Sequence, residues 1–80
     1  MVIQLIQGQF NPNEAIEIIT QMFHAKIKYH ENKIAGNSNE EDIKSRETKI
    51  KRLQKELFEA RESVLSKRKS LNIDAKINIT

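Results

Sequence analysis

Cysteine and tryptophan are absent from this sequence of 80 residues, proline occurs once and glycine twice. Without cysteine the chain forms neither a disulfide nor a cysteine-based zinc site. With so few glycines it has no glycine-rich loop to cradle a phosphate. No apolar run approaches the roughly 18 residues that a membrane helix needs, and the N terminus has no secretory-signal pattern. These absences predict a soluble cytoplasmic protein with no metal, no cofactor and no membrane contact.

The length and charge of the chain set further bounds. Eighty residues predict one domain, residues 1–80, with a modest apolar core. Chains of this size often need a partner to become stable, because burial and conformational entropy nearly cancel. The formal net charge of +3 is a mild excess of basic over acidic residues. By itself it is weak evidence for an anionic partner.

Residue patterns predict four elements: a strand over 2–10, a helix over 12–34, a helix over 39–71 and a strand over 73–79. Asn11, Pro12 and Glu14 are typical of a helix start with a capping box. Gly36 suits the end of the first helix, and Ser38 with Glu41 has capping-box spacing for the second. The predicted fold class is mainly α: an antiparallel, coiled-coil-like helical hairpin with short N- and C-terminal β-strands.

The two predicted strands differ in their apolar patterns. Residues 73–79 alternate cleanly between apolar and polar side chains, as in a half-buried strand. Residues 2–10 alternate imperfectly: Ile3 and Leu5 are expected on one face, with Val2, Ile6 and Phe10 on the other. Both strands are expected at one end of the hairpin, where antiparallel pairing is geometrically easy.

The second helix carries apolar residues at an interval of seven, which continues to Leu71 and is typical of a coiled-coil seam. Arg46 and Lys67 are its polar exceptions, and His30 lies in line with the apolar stripe of the first helix. The predicted hairpin seam comprises Ile16, Ile19, Phe23, Ile27, Ile43, Ile50, Leu53, Leu57 and Val64.

The first helix has a second apolar stripe, which one antiparallel neighbour does not cover. This stripe is the candidate oligomer interface, and it comprises Ala15, Ile18, Met22, Ala25 and Tyr29. A homodimer or higher homo-oligomer would bury it, since two-fold dimers are the commonest soluble assemblies. The alternative is that the terminal strands of the same chain cover it.

Residues that could support chemistry have plainer explanations. His24 and His30 lack the spacing of a helical metal site, so His24 is expected on the surface and His30 at the seam edge. Glu56, Glu59 and Glu62 favour ion pairs with nearby cations over acid–base catalysis. The basic stretch over 44–55 has no interleaved aromatic residue and spreads around the helix, so nucleic-acid binding is disfavoured.

Residues 6–30 resemble a group of small bacterial proteins with a strand–helix–helix–strand layout and no known activity. The resemblance lies in the Gly-x-Phe-x-Pro-x-Glu-Ala run that starts at Gly8 and in the Lys-Ile-x-aromatic-His segment that starts at Lys26. It implies that the candidate polar cluster of Lys26, Tyr29 and His30 acts together. A polar bond that closes the hairpin or dimer seam is the simpler interpretation of that cluster.

Together these patterns predict a structural or protein-interaction module that self-associates through its helical hairpin and is not an enzyme. A binder of nucleic acid or of an anionic surface, using the basic face of the second helix, is the first alternative. An enzyme that uses the Lys26, Tyr29 and His30 cluster at an oligomer interface is the second.

Overall fold

The computed structural model describes residues 1–80 and has the order strand, helix, helix, strand. Strand β1 spans Val2–Phe10, helix α1 spans Pro12–Ile34, helix α2 spans Glu40–Lys67, and strand β2 spans Leu71–Asn78. The helices pack against each other, and the strands form one two-stranded antiparallel sheet. The predicted fold class is confirmed.

Helix α1 begins with the predicted capping box. The Asn11 side chain accepts a hydrogen bond from the Glu14 backbone N–H at 2.9 Å, and the Glu14 carboxylate accepts one from the Asn11 N–H at 3.3 Å. Pro12 occupies the first turn, where its missing N–H is not needed. These reciprocal bonds fix the point at which the extended chain of β1 turns into the helix.

The connection between the helices is short, and Gly36 adopts the positive φ of 79° that the end of α1 requires. Helix α2 is capped by Asn39, and the predicted box of Ser38 and Glu41 does not form. The Asn39 side chain accepts hydrogen bonds from the backbone N–H groups of Glu41 and Asp42, at 3.0 and 3.1 Å. Asn39 caps the helix in place of Ser38, because its side-chain oxygen accepts from two backbone N–H groups of the first turn.

Helix α2 ends at Lys67, four residues before the predicted end at Leu71. Arg68 takes a left-handed conformation, φ 54° and ψ 24°, and turns the chain away from the helix axis. Leu71 therefore begins strand β2, opposite Phe10 on β1. Its place in the heptad pattern was misleading, because Leu71 also begins the alternating pattern that continues into β2.

A β-bulge in β1 brings most of its apolar side chains onto one face of the sheet, although they do not alternate regularly in the sequence. Gln4 pairs with Lys76 and Ile6 pairs with Ala75, which leaves Leu5 without a partner on β2. The extra residue moves Ile6 onto the same face as Ile3, so the predicted separation of these two side chains was wrong. The apolar sheet face thus comprises Ile3, Ile6, Phe10, Leu71, Ile73, Ala75 and Ile77.

The opposite sheet face is polar except for Val2, and consists of Val2, Gln4, Gln7, Gln9, Asn72, Asp74, Lys76 and Asn78. A hydrogen bond of 2.7 Å from the Gln4 amide to Asp74 ties the two strands on this side. The apolar sheet face is half-buried near the helices and exposed at Ile3 and Ile77, where the strands extend furthest. The ends of the chain meet beyond it, with 2.7 Å hydrogen bonds in both directions between the Met1 and Ile79 backbones.

The nine predicted seam residues are all buried or half-buried. Ile27, Leu53 and Val64 are buried and the other six are half-buried. No large side chain is fully buried anywhere in the chain. The molecule measures 46 × 33 × 14 Å, and the sheet makes few contacts with the helices.

Candidate functional site

A chain of polar side chains links the two helices near the hairpin connection. Arg46 of α2 donates from Nε to the Asp42 carboxylate at 3.2 Å, and its Nη1 lies 3.2 Å from Nδ1 of His30 on α1. The Asn37 side-chain amide nitrogen donates to the same Asp42 oxygen, and the Asn37 side-chain oxygen Oδ1 accepts from the Asn39 backbone N–H at 2.8 Å. We call His30, Arg46, Asp42 and Asn37 the polar network. It joins α1, α2 and their connection.

Arg46 determines which nitrogen of His30 carries the proton. A guanidinium has only donors, so Nδ1 of His30 must accept the hydrogen bond from Arg46. The ring is therefore neutral, with its proton on Nε2. That Nε2–H makes no hydrogen bond within the chain, although the residue is only 8% exposed. His30 thus keeps one donor free.

The surroundings of His30 disfavour its charged form. Burial of the ring lowers the pKa of His30 most, because a buried cation loses hydration. The positive charges of Arg46, Lys49 and Lys26 lower it further. Protonation would also break the hydrogen bond at Nδ1. The neutral ring is consequently the form that fits this site.

Asp42 is held in its charged form by the same network. The hydrogen bond from Arg46 is the main reason that the pKa of Asp42 is lowered, and the bond from Asn37 adds to it. Partial burial works in the opposite direction. Arg46 and Asp42 form the only ion pair in the chain, and its i,i+4 spacing lies along α2. The pair orients the guanidinium toward His30.

Tyr29 covers one side of the network. Its ring meets the His30 ring edge-on, with centroids 5.5 Å apart and planes at 68°. Arg46 lies 5.9 Å from the Tyr29 ring centroid and the Lys33 ammonium lies 5.7 Å from it, both within range of cation–π attraction. More than half of the Tyr29 side chain nevertheless stays exposed.

Of the predicted polar cluster, the structure brings Tyr29 and His30 into direct contact. Lys26 hydrogen-bonds to neither, but it lines a groove with His30. Sequence reasoning missed Arg46, Asp42 and Asn37 as partners of His30. A signal existed, because Arg46 and His30 are both polar interruptions of apolar stripes that face each other across the hairpin.

Two adjoining cavities lie beside the network, between the helices. The basic groove has a volume of about 380 Å³ and is lined by Lys26, His30, Lys49, Arg52, Leu53 and Glu56. The apolar cleft has about 200 Å³ and is lined by Met22, Phe23, Lys26, Leu53 and Glu56. Three residues line both, so the two lie side by side. Arg52 and Glu56 form no ion pair, contrary to their predicted i,i+4 pairing.

His24, Glu59 and Glu62 do not line the basic groove or the apolar cleft. His24 is exposed and lines a third groove, of about 440 Å³, together with Glu31. Glu59 and Glu62 are exposed, and neither forms an ion pair. No three His, Asp or Glu side chains lie close enough together to hold a metal ion.

The candidate oligomer interface divides into buried and accessible parts. Ala15 is fully buried within the chain, and Ile18 and Met22 are half-buried. Ala25 and Tyr29 are exposed. The accessible part of this stripe is therefore small, and it lies toward the C-terminal half of α1.

Neither helix contains an apolar stretch long enough to cross a bilayer. Comparisons with protein-family models, with curated proteins and with solved structures found no match. The resemblance of residues 6–30 to a bacterial group therefore stays a prediction.

Proposed function

We propose that this chain is a structural module that self-associates, with a second copy of itself as the partner. The observation that carries the proposal is excess surface. The chain exposes 6349 Å², whereas a compact monomer of 9.3 kDa exposes about 5,000 Å². The excess of about 1,350 Å² exceeds the roughly 800 Å² that each partner buries in a standard protein interface.

The shape of the molecule supports the same proposal. Its radius of gyration is 15.3 Å, against about 11.6 Å for a compact domain of this length. Stable domains consist of at least two packed layers around a core. This chain has one layer, and it buries only four apolar residues, Ala15, Ile27, Leu53 and Val64. A second copy would supply the missing layer.

We place the partner on the apolar sheet face. The face is half-buried next to the helices, but Ile3 and Ile77 are exposed, and Met1 and Ile79 continue it with exposures of 80% and 52%. A two-stranded ribbon with such a face is marginal alone in water. The stripe on α1 offers less area, because Ala15 is already buried and only Ala25 and Tyr29 are exposed. The ribbon is therefore the better docking surface for a second copy.

The test is the mass of the protein in solution. Sedimentation equilibrium and light scattering are expected to give about twice the chain mass of 9.3 kDa at micromolar concentration, with dissociation on dilution. A protein that remains monomeric at high micromolar concentration would overturn the proposal. A complex whose mass is a larger multiple would keep self-association and change only the copy number.

A further inference from the structure

Three cationic side chains line the basic groove, where Glu56 is the only acidic side chain. Lys26 reaches it from α1, and Lys49 and Arg52 reach it from α2. None of the three forms an ion pair, since the only ion pair in the chain joins Arg46 and Asp42. Like charges at one site repel each other, so an arrangement of this kind is stabilised by an anion.

His30 adds a directional donor to the same groove. Arg46 occupies its Nδ1, and its Nε2–H has no acceptor within the chain. Thr20 Oγ1 is the only buried side-chain nitrogen or oxygen without a hydrogen-bond partner, so Nε2 of His30 stays accessible and is free to donate to a ligand. A ligand oxygen in the groove would satisfy this donor and neutralise the cations together.

The charge balance of the groove favours an anion with about two negative charges. Three cations and the Glu56 carboxylate give the groove a formal charge of +2 when His30 is neutral. A phosphate monoester carries about −1.5 to −2 at neutral pH and offers three strong acceptor oxygens. A simple carboxylate would leave a positive charge uncompensated. Arg52 can also bind phosphate through two parallel hydrogen bonds.

The adjoining cleft indicates what the phosphate is attached to. Met22 and Phe23 line it, and it shares Lys26, Leu53 and Glu56 with the basic groove. An apolar or aromatic group linked to the phosphate would therefore lie against Phe23. The combined space is within the range of small-molecule sites, about 300–1,000 Å³.

We propose that the basic groove and the adjoining cleft bind a small organic phosphate monoester, with the phosphate held by Lys26, Lys49, Arg52 and His30 and the apolar group against Phe23. This site is distinct from the self-association of the chain and does not depend on it. No bond is made or broken in the proposal, which concerns binding alone.

NMR titration with phenyl phosphate and with inorganic phosphate, at constant ionic strength, tests the proposal. Phenyl phosphate is expected to bind more tightly than inorganic phosphate and to shift the Met22 methyl and Phe23 ring signals. Inorganic phosphate is expected to shift the His30 ring signals and to leave the Met22 and Phe23 signals unchanged. Bound phosphate should also raise the pKa of His30, because it offsets the positive charges of Arg46, Lys49 and Lys26 and accepts from Nε2–H.

Matched variants decide whether the groove is the site. Lys49→Gln is expected to weaken phenyl phosphate binding about tenfold, since one charge-assisted contact is lost. Lys51→Gln removes the same charge from the same helix outside the groove, and its affinity should stay within about twofold of the parent. Glu56→Gln should tighten binding. All three positions are exposed, and circular dichroism checks the fold of each variant.

Two results would overturn the proposal. One is an equal loss of affinity in Lys49→Gln and Lys51→Gln, which would mean diffuse attraction to the positive surface. The other is the absence of any His30 shift at saturating phenyl phosphate. Titration with single-stranded oligonucleotides tests whether the basic surface binds a polymer instead. Affinity that increases with oligonucleotide length and is unaffected by Lys49→Gln would show that it does, and would overturn the small-ligand site.

Discussion

Nη1 of Arg46 lies 3.2 Å from Nδ1 of His30, and this contact joins the two helices through a cation and a neutral imidazole. It requires His30 to stay unprotonated, because a protonated ring has no acceptor to offer. The contact therefore ties the folded state to pH.

The first prediction concerns stability in mild acid. The pKa of His30 is lowered in the folded chain, so below the ordinary value of about 6.5 the unfolded chain binds a proton that the folded chain does not. Stability is therefore expected to fall as pH decreases below about 6.5, until the lowered pKa is reached. Urea unfolding measured from pH 7.5 to 5 follows this loss.

Two substitutions test whether His30 causes this dependence of stability on pH. His30→Gln is expected to flatten the decrease in the free energy of unfolding between pH 7.5 and 5. His24→Gln is the matched control, since His24 is exposed on the same helix, and it should keep the slope. A slope that survives in His30→Gln and disappears in His24→Gln would contradict the assignment. Asp42 contributes only at lower pH, because its pKa is lowered as well.

The second prediction concerns the pKa of His30 itself. Arg46→Met removes a positive charge next to the ring, so the pKa of His30 should rise toward its ordinary value. The rise should be incomplete, because burial is the larger cause and Lys49 and Lys26 remain. NMR titration of the ring protons measures it. Lys44→Met is the control of equal charge on the same helix, and a shift as large as that of Arg46→Met would be incompatible with this explanation.

The third prediction concerns a buried hydroxyl with no partner. Thr20 Oγ1 is buried in α1 and makes no hydrogen bond. Thr20→Val keeps the side-chain shape and removes this unpaired group, so it is expected to stabilise the chain by about 1 kcal/mol. In the control Thr48→Val, an exposed hydroxyl loses its 3.0 Å bond to the Lys44 carbonyl. That change should be neutral or mildly destabilising by thermal unfolding, and a destabilised Thr20→Val would show that the hydroxyl has a partner in solution.

The fourth prediction locates the self-association surface. Ile77→Asp places a charge on the apolar sheet face and is expected to shift the protein toward monomer. Asn78→Asp adds the same charge to the polar face of the same strand, so its mass should stay that of the parent. Ala25→Asp tests the stripe on α1 in parallel. If Ala25→Asp gives monomer while Ile77→Asp does not, the second copy docks on the helix instead of the ribbon.

Local patterns predicted most of the fold. The Asn11 capping box, both helices and the final strand depend on residues that are close in sequence, and each formed, although α2 ends at Lys67 and β2 begins at Leu71. The predictions were wrong where one residue fits two sequence patterns, or where its placement depends on the strand it pairs with. Leu71 satisfied both a heptad and an alternation, and pairing with Phe10 placed it in the strand. The bulge at Leu5 is a property of the strand pair, which the alternation of β1 alone does not reveal.

The candidate site was predictable only in part. His30 and Arg46 could each be recognised as a polar interruption of an apolar stripe, but their contact depends on how far one helix is displaced along the other. The basic groove combines Lys26 with Lys49 and Arg52, which are more than 20 positions away in the chain. Such a grouping follows from the packed hairpin, and composition or spacing does not indicate it.

The hydrogen bonds between Met1 and Ile79 make the backbone almost a closed ring. A peptide linker of a few residues could join these two ends without disturbing either strand. Cyclisation would restrict the unfolded chain and leave the folded one unchanged, so the cyclic protein should melt at a higher temperature than the linear one. The same ring could be opened at Gly36, giving a circular permutant whose two strands become a hairpin in the middle of the chain.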